Sequence, residues 1–130
     1  MGDQKTAMPD VPPSIRTIAM PADTNPNGDI FGGWLMSQMD LAAGNVATRR
    51  SRGRAATVAV EAITFLGPVM VGDEVSLFAR LLSVGRTSLR IEVDAWRRAR
   101  DSADSFKVTE AIFTFVAIDN CGRPRPVPPE

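Results

Sequence analysis

The residues best suited to chemistry fall in one stretch, residues 23–40 (DTNPNGDIFGGWLMSQMD), and in the helix it opens. Asn25-Pro26 and Asn27-Gly28 are turn dipeptides, because Asn tolerates left-handed dihedrals and Gly28 adopts them without penalty. Gly32-Gly33 then allows a close approach by another group, and from Trp34 to about Arg50 the pattern is helical. Met36, Met39, Ala43, Val46 and Ala47 recur at the spacing of one helix face. Asp40 falls on the margin of that apolar stripe. A carboxylate there is either a structural acceptor for a neighbouring loop or a catalytic base or nucleophile. The glycines favour the second reading. A helix N-terminus with no side chains in the way presents N–H donors and the positive end of the dipole, which suits an oxyanion.

The inventory narrows the chemistry further. There is no histidine, no tyrosine and a single cysteine in 130 residues. That excludes His-based acid–base catalysis, Ser-His and Cys-His pairs, and His or thiolate metal sites. Carboxylates, hydroxyls, amides, Lys/Arg and backbone N–H groups remain, so no metal and no cofactor is expected. With 15 basic and 15 acidic residues the net charge is zero, which argues against a nucleic-acid or anionic-membrane partner. The lone Cys121, the lack of an apolar leader in MGDQK and the absence of a membrane-length apolar run point to a cytoplasmic protein.

The elements that must position these residues follow in order. Residues 1–13 are polar, Pro-containing and expected to be poorly ordered. Residues 14–20 form a first strand, followed by the turn-rich loop and the helix. Strands are expected over 57–66, 74–84, 88–97 and 106–118, with a tight hairpin at 85–87. Thr57–Leu66 is apolar on both faces apart from Glu61, as in a strand covered on both sides. In 88–97, Leu89, Ile91, Val93 and Ala95 alternate with Arg90, Glu92, Asp94 and Trp96. Hairpin-length links imply antiparallel pairing. The expectation is an α+β fold, a twisted antiparallel sheet of about five strands around one long helix, dimerised to cover the apolar strand. Residues 14–127 make one domain and 128–130 a tail.

Residues 17–40, 57–73 (TVAVEAITFLGPVMVGD), 84–88 (VGRTS) and 107–111 (KVTEA) together resemble the hotdog-fold acyl-CoA thioesterases of the bacterial YciA type. The resemblance runs over roughly residues 15–127 and extends to the cytosolic acyl-CoA hydrolases of animals. It implies a hotdog fold and hydrolysis of acyl-CoA to a fatty acid and free coenzyme A, with coenzyme A as part of the substrate rather than a cofactor. Asp40 matches the family's catalytic carboxylate, acting as general base or as nucleophile. Asn25 matches the Asn that orients water or the substrate carbonyl from across a dimer interface, and Gly32 and Gly33 match the oxyanion donors. Thr57, Val58, Ala59, Gly85, Arg86, Thr87 and Ser88 match segments lining the pantetheine and nucleotide parts of coenzyme A. Arg54 and Arg86 are the candidates for its phosphates. The family forms homodimers with sites at the interface, assembled further into hexamers. Two other readings share the fold: a non-catalytic acyl-CoA-binding protein, and a thioesterase for acyl-carrier protein or aromatic acyl-CoA. Hotdog dehydratases use a His, which this chain lacks.

Other signals are read more plainly. Arg49, Arg50, Arg52 and Arg54 form a basic helix end that complements the dipole, with part of it available for phosphate. Glu61 and Glu110 are read as paired structural carboxylates, with a place near the thioester of a hotdog site as the other reading of each. The side of the helix bearing Trp34, Leu41 and Thr48 is apolar enough to meet another subunit.

Overall fold

A computed structural model describes residues 7–130. The part of the expected disordered segment at residues 1–6 lies outside the described residues, and residues 7–13 run without helix or strand. The elements that follow are β1 (Ile15–Ile18), a single 3₁₀ turn (Pro21–Asp23), α1 (Gly32–Ser51), β2 (Ala55–Phe65), β3 (Glu74–Val84), β4 (Ser88–Arg98) and β5 (Ser105–Ala117).

The five strands form one antiparallel sheet in the order β1-β3-β4-β5-β2. The β3-β4-β5 meander is what the short links dictate, since Gly85–Thr87 joins Val84 opposite Leu89. A Cβ on Gly85 would stand 2.7 Å from Ser88 Oγ, so a side chain there would turn the Ser88 hydroxyl away. The link between β2 and β3 is not a hairpin, contrary to the sequence reading. Residues 66–73 carry the chain across the sheet, so β3 pairs with β1 while β2 pairs with β5 at the far edge.

α1 lies across one face of the sheet and buries Leu35, Met39, Ala42, Ala43 and Ala47. These meet Leu89, Ile91, Val93 and Ala95 of β4 and Val108, Ala111, Phe113 and Phe115 of β5, all in one cluster. The alternation read in β4 is therefore the core face. Small residues on the helix let it sit close to the sheet; a Cβ at Gly44 would contact the Phe115 ring at 3.6 Å. Trp34 packs against this cluster, whereas Leu41 is exposed on the far side of the helix. Trp96, on the outer sheet face, is also buried.

β2 lies at the edge of the sheet, with most of its side chains exposed in the single chain. One chain by itself supplies no cover for its apolar residues, which is the part the sequence reading assigned to a second subunit. Glu61 pairs with Arg90 of β4, and Glu110 accepts from Lys107 Nζ at 2.7 Å, so both are structurally engaged.

Candidate active site

The loop before α1 is built by Asn25. Its side-chain Oδ1 accepts from the backbone N–H of Asn27 at 2.9 Å and of Asp29 at 3.2 Å. The main chain closes the same turn: Asn25 N–H donates to Asp29 O and Gly28 N–H to Asn25 O, with Gly28 at φ +84°. Thr24 and Ile30 pair across its base, and Phe31 N–H donates to Asp23 O at 3.0 Å. Asn25 is thereby held with its carbonyl occupied and its amide NH₂ as the remaining polar group, a donor. Asn25, Gly32 and Gly33 thus belong to one hydrogen-bonded loop and the helix start that follows it.

α1 begins at Gly32, two residues earlier than the apolar period implies. Phe31 is its N-cap, with no side-chain cap hydrogen bond and no acidic residue in the first turn. The first free intrahelical donors, Trp34 and Leu35, reach back to Phe31 O at 3.0 and 3.3 Å. The N–H groups of Gly32 and Gly33 are left to an outside acceptor, as an anion-stabilising helix start requires. Beside them an apolar cleft of about 170 Å³ is lined by Phe31, Leu35, Phe65 and Val69. The Phe65 ring lies 3.8 Å from where a Gly32 Cβ would be, so any side chain there would narrow the cleft mouth.

Asp40 is half-buried at the margin of the apolar stripe and turns towards β2. Its Oδ1 accepts from Thr57 Oγ1 at 2.5 Å. The strand is shaped for this contact. Register slips between Thr57 and Ala59, placing a bulge at Val58, and bulges re-aim neighbouring side chains. A second irregularity lies between Glu61 and Thr64, with Ala62 at φ +52°. Thr57 and the exposed Val58 and Ala59 thus form a short wall beside Asp40, on the open edge of the sheet. Thr57 was expected as a substrate-lining residue; its hydroxyl is also the partner of the carboxylate.

The arginines divide by environment. Arg54 is exposed, and its Nη1 donates to Asp119 O at 3.3 Å and Asn120 O at 3.5 Å. The Asp119 carboxyl is held below its ordinary range by the N–H groups of Arg123 and Cys121, with Arg54 and Arg125 adding to the pull. Arg86 is exposed at the tip of the Gly85–Ser88 hairpin, and its carbonyl accepts from Val127 N–H at 2.8 Å. Thr87 O accepts from Ala117 N–H at 2.8 Å, which ties the same hairpin to the end of β5. Arg54 and Arg86 therefore flank one junction of helix end, hairpin and C-terminal segment, away from the glycine pair.

Residues 27–103 match the thioesterase superfamily model. An acyl-CoA thioester hydrolase from Zymomonas mobilis is 57% identical over 117 residues, covering 90% of this chain and 78% of that protein. The acyl-CoA thioester hydrolase YciA of Escherichia coli K12 is 50% identical over 119 residues, 89% of this chain and 90% of that protein. The chain belongs to the thioesterase superfamily. Within it, the hexameric thioesterase of Yersinia pestis superposes with a TM-score of 0.88 at 47% identity, over 95% of this chain and 100% of that one. This thioesterase-superfamily chain has the hotdog architecture read from its sequence: one helix and a five-stranded antiparallel sheet. No helix among the described residues is long and apolar enough to cross a membrane.

The structure brings Asp40 and Thr57 together, and holds Asn25, Gly32 and Gly33 on one unit. It does not bring these two groups together within a single chain. Gly33 and Asp40 are seven residues apart on one straight helix, a rise of about 10 Å. The carboxylate and the glycine N–H groups therefore stand about two helical turns apart on the same chain. One residue that sequence reasoning missed is Arg125. Its guanidinium donates to Ser51 O at 3.0 Å, Ile118 O at 2.8 Å and Arg54 O at 3.2 Å, joining the helix end to β2 and the tail. The signal available was Gly53, where a Cβ would meet Arg125 Nη2 at 2.6 Å.

Proposed function

We propose that this protein hydrolyses acyl-CoA to a carboxylic acid and free coenzyme A, using Asp40 as its catalytic carboxylate. The observation that carries the reading is the Asp40–Thr57 pair: one carboxylate oxygen is fixed by the Thr57 hydroxyl, and the other is left for water or substrate. As general base, Asp40 takes a proton from water whose oxygen attacks the thioester carbonyl carbon. As nucleophile it attacks that carbon itself, and water resolves the anhydride. In both routes the carbonyl oxygen gains charge, the Gly32 and Gly33 N–H groups hold it, and collapse breaks the C–S bond. The thiolate of coenzyme A leaves and takes up a proton. The route asks nothing of a metal or cofactor, and the single Cys121 suits a reducing, cytoplasmic setting.

The separation between Asp40 and the glycine unit supports a site shared by two subunits. Asp40 and Thr57 of one copy would face Asn25, Gly32 and Gly33 of the other. The open edge of β2 offers the contact surface, with Val58, Phe65, Leu41 and Phe31 as exposed apolar anchors beside it. Relatives named as hexameric thioesterases support further assembly into three such dimers. A liberated-thiol assay across acyl-CoA chain lengths, with acyl-carrier protein and aromatic acyl-CoA as controls, tests the reading. Absence of thiol release from every acyl-CoA would leave a binding protein instead.

Two predictions arise here. Thr57→Val keeps the side-chain shape and removes the hydroxyl; losing a hydrogen bond to a charged group predicts a kcat about tenfold lower with KM little changed. Thr57→Ser should restore most of the loss. If Thr57→Val turns over at the wild-type rate, the contact only packs the helix against β2. Arg86→Ala should raise KM for acyl-CoA several-fold and spare kcat, because a phosphate contact is equal in ground and transition states. An acyl-pantetheine substrate, which has no nucleotide, should hardly notice the change. Equal KM increases for both substrates would mean that Arg86 shapes the hairpin instead.

A further inference from the structure

β2 changes register twice along its length. The first shift, at Val58, leaves Thr57 on the helix side of the sheet but puts Glu61 on the outer side, opposite Ile112 and paired with Arg90. Were β2 regular from there on, residues 61, 63 and 65 would share that outer face. Phe65 does not lie there. Between Glu61 and Thr64 the strand advances three residues against two of β5, and the alternation reverses again. Thr64 stands opposite Glu110 on the outer face, and Phe65 stands opposite Thr109, which is buried and pairs with Ala95 of the core. Leu66 N–H donates to Val108 O at 2.7 Å, so the backbone beyond Phe65 is held in the new register.

The residue at this second reversal is Ala62, at φ +52°. An alanine is strained in left-handed dihedrals, and such strain persists where the surroundings hold it for a use. A bulge that only kept a bare edge from pairing would serve anywhere along β2. This one lies three residues before Phe65, and its effect falls at the glycine pair. The Phe65 ring is 3.8 Å from the position of a Gly32 Cβ. It closes one side of the cleft of about 170 Å³ whose other walls include Ile30, Phe31, Leu35 and Val69, and every side chain that lines this cleft is apolar. Gly32, whose N–H is assigned to the thioester oxygen, is itself part of the lining. β2 thus presents Thr57 to Asp40 and Phe65 to Gly32, each beside a register shift.

We infer that Phe65, turned onto the helix side by the bulge at Ala62, limits the length of the acyl chain that the site accepts, with Ala62 as its positioning residue. The inference rests on the acyl-CoA reading above. A chain whose carbonyl oxygen meets the Gly32 N–H runs on into the apolar space beside it, and the ring sets where that space ends. At roughly 30 Å³ for a group of water's size, the cleft takes about five or six non-hydrogen atoms, so acyl groups of about six carbons are the longest that fit without displacing Phe65.

The test compares kcat/KM for butyryl-CoA and dodecanoyl-CoA, with S-butyl- and S-dodecyl-coenzyme A thioethers titrated calorimetrically as a reading that needs no turnover. Phe65→Ala should raise the dodecanoyl-to-butyryl ratio about tenfold or more, because even one methylene newly accommodated in an apolar pocket gives about that much. Phe65→Trp should lower the ratio. Ala62→Val, a β-branched residue that resists the left-handed position, should move it as Phe65→Ala does, whereas Ala62→Gly holds that position without strain and should not. A fold that was merely weakened would lower both substrates together and leave the ratio alone. Unchanged ratios in both Phe65 variants, in turnover and in thioether binding, overturn the inference and leave the hydrolase reading standing. Shifts in the Phe65 variants with none in Ala62→Val would remove Ala62 from it. If no acyl-CoA releases thiol, the hydrolase reading falls, and the thioether ratios still decide the role of Phe65.

Discussion

Asp40→Asn lowers turnover on acyl-CoA by on the order of 10²-fold or more and leaves the fold intact: this is the expected result if the carboxylate does the chemistry. The substitution is isosteric, and the Asn carbonyl can still accept from the Thr57 hydroxyl that holds Asp40 Oδ1. What the amide cannot do is take a proton or attack a carbonyl. The helix should survive, because Asp40 sits at the edge of the buried stripe and the residues that anchor α1, Met39 and Ala43, are untouched. Steady-state kinetics on several acyl-CoAs, with circular dichroism for the fold, make the measurement. Near wild-type turnover on all of them would remove Asp40 from the mechanism.

The second large effect is restoration of activity by mixing two dead proteins. Asn25→Ala removes the outward amide and releases the two N–H groups that its Oδ1 holds, while Asp40→Ala removes the carboxylate. If each site takes Asn25 from one subunit and Asp40 from the other, a mixed dimer carries one doubly damaged site and one intact site. Random exchange of equal amounts makes half the dimers mixed, so about a quarter of wild-type activity returns. Mass spectrometry of the exchanged assembly must confirm mixing. Confirmed mixing without recovered activity would mean that each chain holds a complete site.

What could be read from sequence depended on whether the cause was local. The helix, the alternation of Leu89, Ile91, Val93 and Ala95, and the hairpin at Gly85–Thr87 are dictated by period and turn chemistry, and the structure has them. The helix start moved to Gly32 because glycines carry no apolar period. The partner of β2 was misread because pairing is a non-local choice. Thr57–Leu66 looked the same whether buried between layers or left at an edge, and an apolar run does not say what covers it. The site divides in the same way. Asp40 and the glycine pair were visible as oddities of residue type. The Thr57 hydroxyl on Asp40, the lock on Asn25 and the Arg125 guanidinium at the helix end arise from chain crossings 2 to 74 residues apart. Only the shortest of these, the Asn25 turn, has a sequence signature.

The strand order also sets a schedule. β3, β4 and β5 are joined by short links and can zip together as each emerges, but among the described residues β2 pairs only with β5, some fifty residues further along the chain. β2 is therefore made early and paired late, with both of its edges bare in the interval. An apolar strand in that condition is an aggregation hazard for a chain still being synthesised. The bulge that aims Thr57 at Asp40 exists only in the β2–β5 pairing, so the carboxylate acquires its hydrogen-bond partner at the end of folding. Pulse-labelled hydrogen exchange during refolding should protect the amides of β4 before those of β2. Simultaneous protection would mean that the sheet forms in one concerted step.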